Sequence, residues 1–271
     1  MQDIRVAAVI SRSPVGQVRN NLDEMRKWVR EAKSKQADLI CFPELNVTGY
    51  TTGRQIENVA QPSDGTVVRE MAQMAASEKI VILAGIAEAA ADGNVYASHL
   101  VLQPDGQMGI YRKLHLAPPE LKVFTPGNLV PVFKVQEIQF GIQLCFDAHF
   151  PELSTCMAEK GVDLIFFPHA SPRGNALQKH NSWMRHLPAR AYDNSIFVVA
   201  CNQVGDNGCD LVFPGNALIL GPSGEILRKA TGGREGLLLA DLSASDLDRV
   251  RRHRMRYFFA HRRPELYRHG L

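Results

Sequence analysis

No stretch of the 271-residue chain is apolar for the length of a membrane span, and residues 1–10 carry an early acid, Asp3, and no leader-like apolar region. Cysteine is scarce and odd in number, five residues without CxxC spacing, which excludes a disulfide framework and predicts reduced thiols. Neither sign of charge dominates, and a formal net charge of +3 is too small to imply a nucleic-acid partner. A GxSxG elbow, paired metal-ligand histidines and a phosphate-binding glycine loop are all missing, so the motifs of serine hydrolases, metalloenzymes and nucleotide-binding proteins do not apply. What remains is an ordinary globular composition, 45% hydrophobic and 22% charged, with a cytoplasmic location expected.

Within that composition one strand is written twice. Ala37-Asp38-Leu39-Ile40-Cys41-Phe42-Pro43-Glu44 returns as Val162-Asp163-Leu164-Ile165-Phe166-Phe167-Pro168-His169. Both are apolar runs of buried-strand length, expected to stop at a proline that cannot donate to a ladder. The pattern continues on either side. Helical periodicity over 21–35, strands over 4–10 and 79–86, a helix over 66–78 and a hairpin over 97–102 and 109–116 make the first half. A strand pair ending at Cys145, a helix over 151–161, a long helix over 177–194 and a strand over 195–200 make the second. A hairpin over 217–220 and 225–230 then closes it. Each half closes in Arg-Lys, at Arg112-Lys113 and at Arg228-Lys229. The expected fold is α/β, two similar sheets packed face to face with helices outside, in one domain spanning 1–271.

Three residues stand out by chemistry. Cys145 ends an apolar strand at a sharp turn into a helix, where backbone N–H groups can lower a thiol's pKa and bind an oxyanion. Glu44 follows a proline at a strand's carboxyl end, the edge where chemistry collects in sheet-plus-helix proteins. Lys113 lies within a strand and is unremarkable by itself. Together they supply a base, a permanent cation and a soft nucleophile. The other cysteines, Cys156, Cys201 and Cys209, read as buried and inert.

The blocks Phe42-Pro43-Glu44-Leu45, Tyr111-Arg112-Lys113-Leu114-His115-Leu116 and Gly141-Ile142-Gln143-Leu144-Cys145-Phe146-Asp147 resemble the three signature blocks of the nitrilase (carbon–nitrogen hydrolase) superfamily, in the family's order. Further likenesses are Pro151-Glu152-Leu153, Arg190-Ala191, Pro214-Gly215-Asn216 and the tail Arg262-Arg263-Pro264-Glu265-Leu266-Tyr267. The resemblance implies a four-layer αββα sandwich with pseudo-twofold symmetry, commonly a homodimer, with residues 243–271 packing on a partner subunit. It also implies a Glu-Lys-Cys triad without metal or organic cofactor. Carried onto this chain, Glu44 is the base, Cys145 the nucleophile, and Lys113 with the Phe146 N–H the oxyanion site. Glu120 takes the place of the family's second glutamate.

The residues just after the nucleophile narrow the branch. True nitrilases resemble each other in a Trp-Glu after the cysteine, whereas Cys145 precedes Phe146-Asp147, nearer the amidase and carbamoylase branches. The paired arginines of N-carbamoyl-D-amino-acid hydrolases are absent, and His149 replaces the arginine of omega-amidase-like members. A small linear amide is the expected substrate, with an N-carbamoyl amine or amino acid as the alternative. Arg173 is placed to bind a carboxylate, and Tyr50, His149 and His169 are candidate pocket walls by position. A reading of another class remains: the arginine-rich run 249–256 with Tyr257-Phe258-Phe259 is a nucleic-acid or acidic-partner patch on a non-catalytic scaffold.

Overall fold

The computed structural model describes residues 1–266; Tyr267 of the tail block lies outside them. The first half runs β1 (Ile4–Ile10), α1 (Val18–Ser34), β2 (Leu39–Cys41), α2 (Gln55–Val59), α3 (Thr66–Glu78), β3 (Val81–Ala89), β4 (Val95–Leu102) and β5 (Met108–Arg112). The second runs β6 (Phe133–Val135), β7 (Ile138–Ile142), a 3-10 turn (Cys145–His149), α4 (Pro151–Glu159), β8 (Leu164–His169), α5 (Ala176–Trp183), α6 (Leu187–Asn194) and β9 (Phe197–Asn202). It continues through β10 (Val204–Asp206), β11 (Val212–Pro214), β12 (Ala217–Leu220) and β13 (Ile226–Ala230), followed by β14 (Gly236–Leu242) and α7 (Ala244–Arg251).

Two six-stranded sheets result, in the orders β14-β1-β2-β3-β4-β5 and β6-β7-β8-β9-β12-β13. They correspond strand for strand. In each, three central strands are parallel and both flanks antiparallel. Side-chain alternation along β1 shows how the layers form: Val6, Ala8 and Ile10 join the inter-sheet core with Phe140, Val199 and Leu218. Ala7 and Val9 instead pack with Leu22, Met25 and Val29 of α1 and Met71 of α3. This is the expected αββα sandwich, with its duplication visible in topology.

Several local expectations change. The single helix over 177–194 is broken into α5 and α6, because Pro188 lacks an N–H and its ring would meet the carbonyl four residues back. Strand β8 runs through Pro168 to His169; β7 pairs with it only as far as Phe166, so past that point β9 alone is its partner. Strand β5 stops at Arg112, leaving Lys113 just beyond its end rather than within it. Strand β14, not anticipated, returns from the second half to pair with β1. Cys156 and Cys209 are partly exposed, and it is Cys41 and Cys201 that are buried.

Strands β2, β5, β7 and β8 position the site. Within the first sheet β2 and β3 are parallel and two antiparallel steps bring β5 back to the same direction, so β2 and β5 end on one edge. In the second sheet β7 and β8 are parallel and end together. Glu44, Lys113, Cys145 and Ala170 follow these four strands within three residues, and Glu44 touches both Lys113 and Ala170.

Candidate functional site

Lys113 and Glu44 are completely buried, and Lys113 Nζ donates to Glu44 Oε1 and Glu120 Oε1, each at 2.7 Å. Glu44 Oε2 accepts the Ala170 N–H at 2.9 Å from the segment after β8, so the carboxylate bridges the two sheets. Glu120, on a 3-10 turn at Glu120–Lys122, also accepts the Tyr50 hydroxyl at 2.9 Å and the Ala117 N–H at 2.7 Å. Tyr50 is thus a partner of Glu120 more than a bare pocket wall.

The loop after Glu44 has its own fixings. Asn46 Oδ1 accepts the Gly85 N–H at 2.8 Å, Thr48 Oγ1 accepts the Ala87 N–H at 2.9 Å, and Gln203 Nε2 donates to the Glu44 carbonyl at 2.8 Å. Gly85 has a steric reason: a Cβ there would stand 2.3 Å from the Leu45 nitrogen. Leu45 itself is held at φ 54°, a left-handed conformation that costs a branched residue.

Cys145 opens the 3-10 turn after β7 at φ 42°, another left-handed position. Such a conformation in a non-glycine residue is strained and has to be held by its surroundings. The turn is pinned by Asp147. Its buried carboxylate accepts the Leu144 N–H at 3.0 Å, the Tyr111 hydroxyl at 2.7 Å, the His115 N–H at 2.8 Å, and contacts His115 Nδ1 at 2.8 Å. Tyr111 and His115 flank Lys113 by two residues on each side, so one carboxylate ties the lysine's segment to the cysteine's. On the other side Arg190 Nε donates to the Ala148 carbonyl at 3.1 Å, binding α6 to the same turn. Sequence reading did not assign these two roles; the signal was the polar residues around the blocks, which by spacing alone are indistinguishable from surface groups.

Two carboxylates surround one ammonium, and the charge balance is uneven. Burial, with Glu120 adding repulsion against the pull of Lys113, raises Glu44 to about 7. Lys113 is raised well above its ordinary value: burial works against its charge, but Glu44 and Glu120 outweigh it and hold the proton. Burial, then the Glu44 charge, pushes the Cys145 thiol up to about 12. The resting site therefore carries a neutral thiol, a fixed cation and a carboxylate poised near neutrality.

The remaining candidates divide. His169 is buried and donates from Nδ1 to the Phe167 carbonyl at 2.8 Å, its ring 4.7 Å from Trp183; burial keeps it neutral. His149 is exposed at the surface, its ring tilted 4.7 Å from that of His186 and edge-on to Phe146; partial desolvation, then Arg190's charge, lowers its pKa. Phe146 follows the nucleophile directly and is partly exposed. Arg173 is exposed on the loop before α5. The buried Lys179 on α5 was not anticipated at all.

The arginine-rich tail is mostly spoken for. Arg249 pairs with Asp246, Arg251 with Asp163, Arg252 with Asp248, Arg262 with Glu159 and Arg263 with Glu265. These pairs fold the run against its own acids, which weakens a phosphate-binding reading.

Known proteins share the fold and part of the sequence. The carbon-nitrogen hydrolase family model matches residues 5–252. A nitrilase of Pyrococcus abyssi is 32% identical over 97% of this chain and 99% of its own, and an N-carbamoylputrescine amidase of rice (Oryza sativa subsp. japonica) is 30% identical over 91% and 88%. The structure of the amidase from Nesterenkonia sp. AN1, as a C145A mutant in complex with butyramide, superposes with a TM-score of 0.85 at 25% identity, covering 99% of this chain and 97% of that one. A duplicated αββα sandwich, its acid, lysine and cysteine gathered at one edge, and a family match over nearly the whole length lead to one conclusion: the chain belongs to the carbon-nitrogen hydrolase family.

Proposed function

We propose that the chain hydrolyses the C–N bond of a small linear amide through a thioester on Cys145. The observation that carries this reading is the buried Lys113 held between Glu44 and Glu120 at 2.7 Å, at the edge where Cys145 sits in a strained turn. Cys145 Sγ attacks the carbonyl carbon while its proton passes to Glu44. The gap between about 12 for the thiol and about 7 for the acid corresponds to about 7 kcal/mol. An equilibrium thiolate is therefore rare, and proton loss accompanies attack rather than preceding it.

The oxyanion forms within reach of Lys113 Nζ and the Phe146 N–H, one of the first amides of a turn, which lack a partner inside it. Glu44 returns the proton to nitrogen as the C–N bond breaks, and ammonia leaves. It then takes a proton from water, which attacks the thioester; the C–S bond breaks, the thiol is restored and a carboxylic acid departs. Glu120 and Tyr50 orient the lysine, and Asp147 holds the two segments in register.

An N-carbamoyl compound fits the same steps, a reading favoured by the rice relative's name. Ammonia release from a panel of linear amides and N-carbamoyl amines, with Cys145→Ala as control, tests both. Loss of release with the fold retained supports the nucleophile, and unchanged release overturns it. We also propose a cytoplasmic homodimer in which residues 243–266, the described part of the tail, pack on the partner, since Met255 and Phe258 stand exposed after α7; light scattering on the purified protein decides the stoichiometry. Among the described residues no helix is long and apolar enough to cross a membrane.

A further inference from the structure

Arg112 directly precedes Lys113, and alternation along β5 sends the two side chains to opposite faces of the first sheet. Tyr111 joins the inter-sheet core, whereas Ile110 packs with the outer cluster of α1 and α3. Arg112 therefore lies on the helix side and Lys113 on the inter-sheet side, where Glu44 and Glu120 receive it. The ladder carries on for one residue past the strand, since the Lys113 N–H donates to the Ala97 carbonyl at 2.9 Å.

On the helix side Arg112 reaches across β4 to β3. Its Nε and Nη2 donate to the two oxygens of Glu88 at 2.8 and 2.7 Å, the Ser98 hydroxyl donates to Glu88 Oε2 at 2.6 Å, and the guanidinium stands 4.0 Å over the Tyr96 ring. A two-pronged contact of this kind fixes direction as well as distance. Glu88 is buried; burial opposes its charge, but the hydrogen bonds from Arg112 and Ser98 outweigh it and hold the carboxyl below its ordinary value. The backbone is confined too: the Gly127 N–H donates to the Lys113 carbonyl at 2.8 Å, and a Cβ at Gly127 would stand 2.6 Å from the Arg112 carbonyl oxygen. In the second half the echoed Arg228 is exposed, and its guanidinium donates to the carbonyl of its own neighbour, Leu227. The three-strand clamp thus accompanies the lysine of the site, not its echo.

We propose that the Arg112–Glu88 pair, on the face of the sheet turned away from the site, positions Lys113, and that Arg112 acts on the reaction only through it. This role rests on the amide-hydrolase reading and deepens it. Lys113 Nζ has to meet two acids at 2.7 Å each and an oxyanion as it forms, which a flexible side chain does reproducibly only from a fixed backbone. Of the groups facing Glu44, Lys113 lowers its pKa and Glu120 raises it, and the charged forms of Tyr50 and Cys145 also lie near enough to interact with it. Freeing Arg112 lets Lys113 draw back, so the pull on Glu44 weakens and Glu44 titrates at a higher pH.

Arg112→Met is expected to lower kcat for an amide about tenfold per folded molecule with KM little changed, and to move the acid limb of kcat/KM to higher pH by about half a pH unit. Arg112→Lys keeps the charge but not the fork and should fall between that variant and the unmodified protein. Adding Glu88→Gln to Arg112→Met should cost little more, because both act through one contact. Unchanged kcat in Arg112→Met overturns the proposal. So does a fall in kcat with the acid limb unmoved, which would mark a merely structural arginine. If Arg112→Met does not fold, Arg112→Lys is judged by the same two readouts. Carboxyl-carbon NMR of protein labelled in glutamate, with Glu44 assigned through Glu44→Gln, follows the same displacement without substrate. Should the unmodified protein release ammonia from no amide, the hydrolase reading fails, while a displaced Glu44 titration in the arginine variant still upholds the clamp. Amide turnover with an undisplaced titration overturns the clamp alone.

Discussion

Replacing Glu44 by glutamine should change how stability depends on pH, with a sign opposite to that of an ordinary ion-paired acid. The folded Glu44 titrates at about 7, raised by burial from its ordinary value of 4.5. Between those values the folded state binds the proton that the unfolded state has released. The term is therefore fully present below pH ~4.5 and lost as pH rises through ~7. A displacement of that size corresponds to about 3 kcal/mol. Glutamine does not titrate, so the stability difference, Glu44→Gln minus the unmodified protein, should rise by up to about 3 kcal/mol from pH 4.5 to 8.

The absolute difference at any one pH is less informative. Glutamine can present an oxygen to Lys113 or to the Ala170 N–H, not to both, and the donor left unpaired costs ~1–3 kcal/mol at every pH. That cost cancels in the slope. Urea unfolding at half-unit steps from pH 5 to 8.5 measures it. A flat difference, or one that falls with pH, would show that Glu44 is ionised throughout and that the charge balance drawn for the cluster is wrong.

The same carboxylate sets the acid limb of catalysis: kcat/KM for an amide should rise with pH through about 7 as Glu44 loses its proton, and a limb centred near 4.5 would contradict this. Asp147→Asn removes charge from a group that serves Leu144, Tyr111 and His115; about tenfold or greater loss of kcat is expected, with roughly 2 kcal/mol of stability lost in denaturant titration. Gly85→Ala places a Cβ 2.3 Å from the Leu45 nitrogen. It should cost about 2 kcal/mol or more and reduce kcat, because the loop that yields is the one carrying Glu44. Lys113→Met leaves Glu44 and Glu120 facing each other without a cation, for an expected loss of ~3–5 kcal/mol. A stable Lys113→Met protein at pH 8 would show that the cation is not what permits both acids to be buried.

Much of the architecture is local enough to be legible in the sequence. ADLICFPE and VDLIFFPH form corresponding strands because apolar runs of that length and composition prefer a buried sheet whatever surrounds them. The duplicated order of elements then implies two sheets, and the signature blocks single out Glu44, Lys113, Cys145 and Glu120, which the fold brings to one edge. Boundaries were less legible. The proline at 188 divides a helix whose periodicity runs straight through it, and β14 is recruited by a neighbour, β1, that lies more than 200 residues away in the chain.

Side chains whose meaning depends on distant partners were not legible at all. Asp147 reads as a loop acid until Tyr111 and His115 arrive from another strand's end. Lys179 reads as a solvated helix lysine until the fold buries it against Ser171. The charge state of Glu44 exists only in the cluster, since burial and Coulomb interaction act through space over a few ångströms. The sequence by itself determined which strands form and which residue types are available for catalysis, because backbone propensity and apolar periodicity act over a few residues. Only the tertiary structure decided which acids share one lysine, which helix lysine is buried against a serine hydroxyl and where the proton rests, because those energies depend on distance and water exclusion.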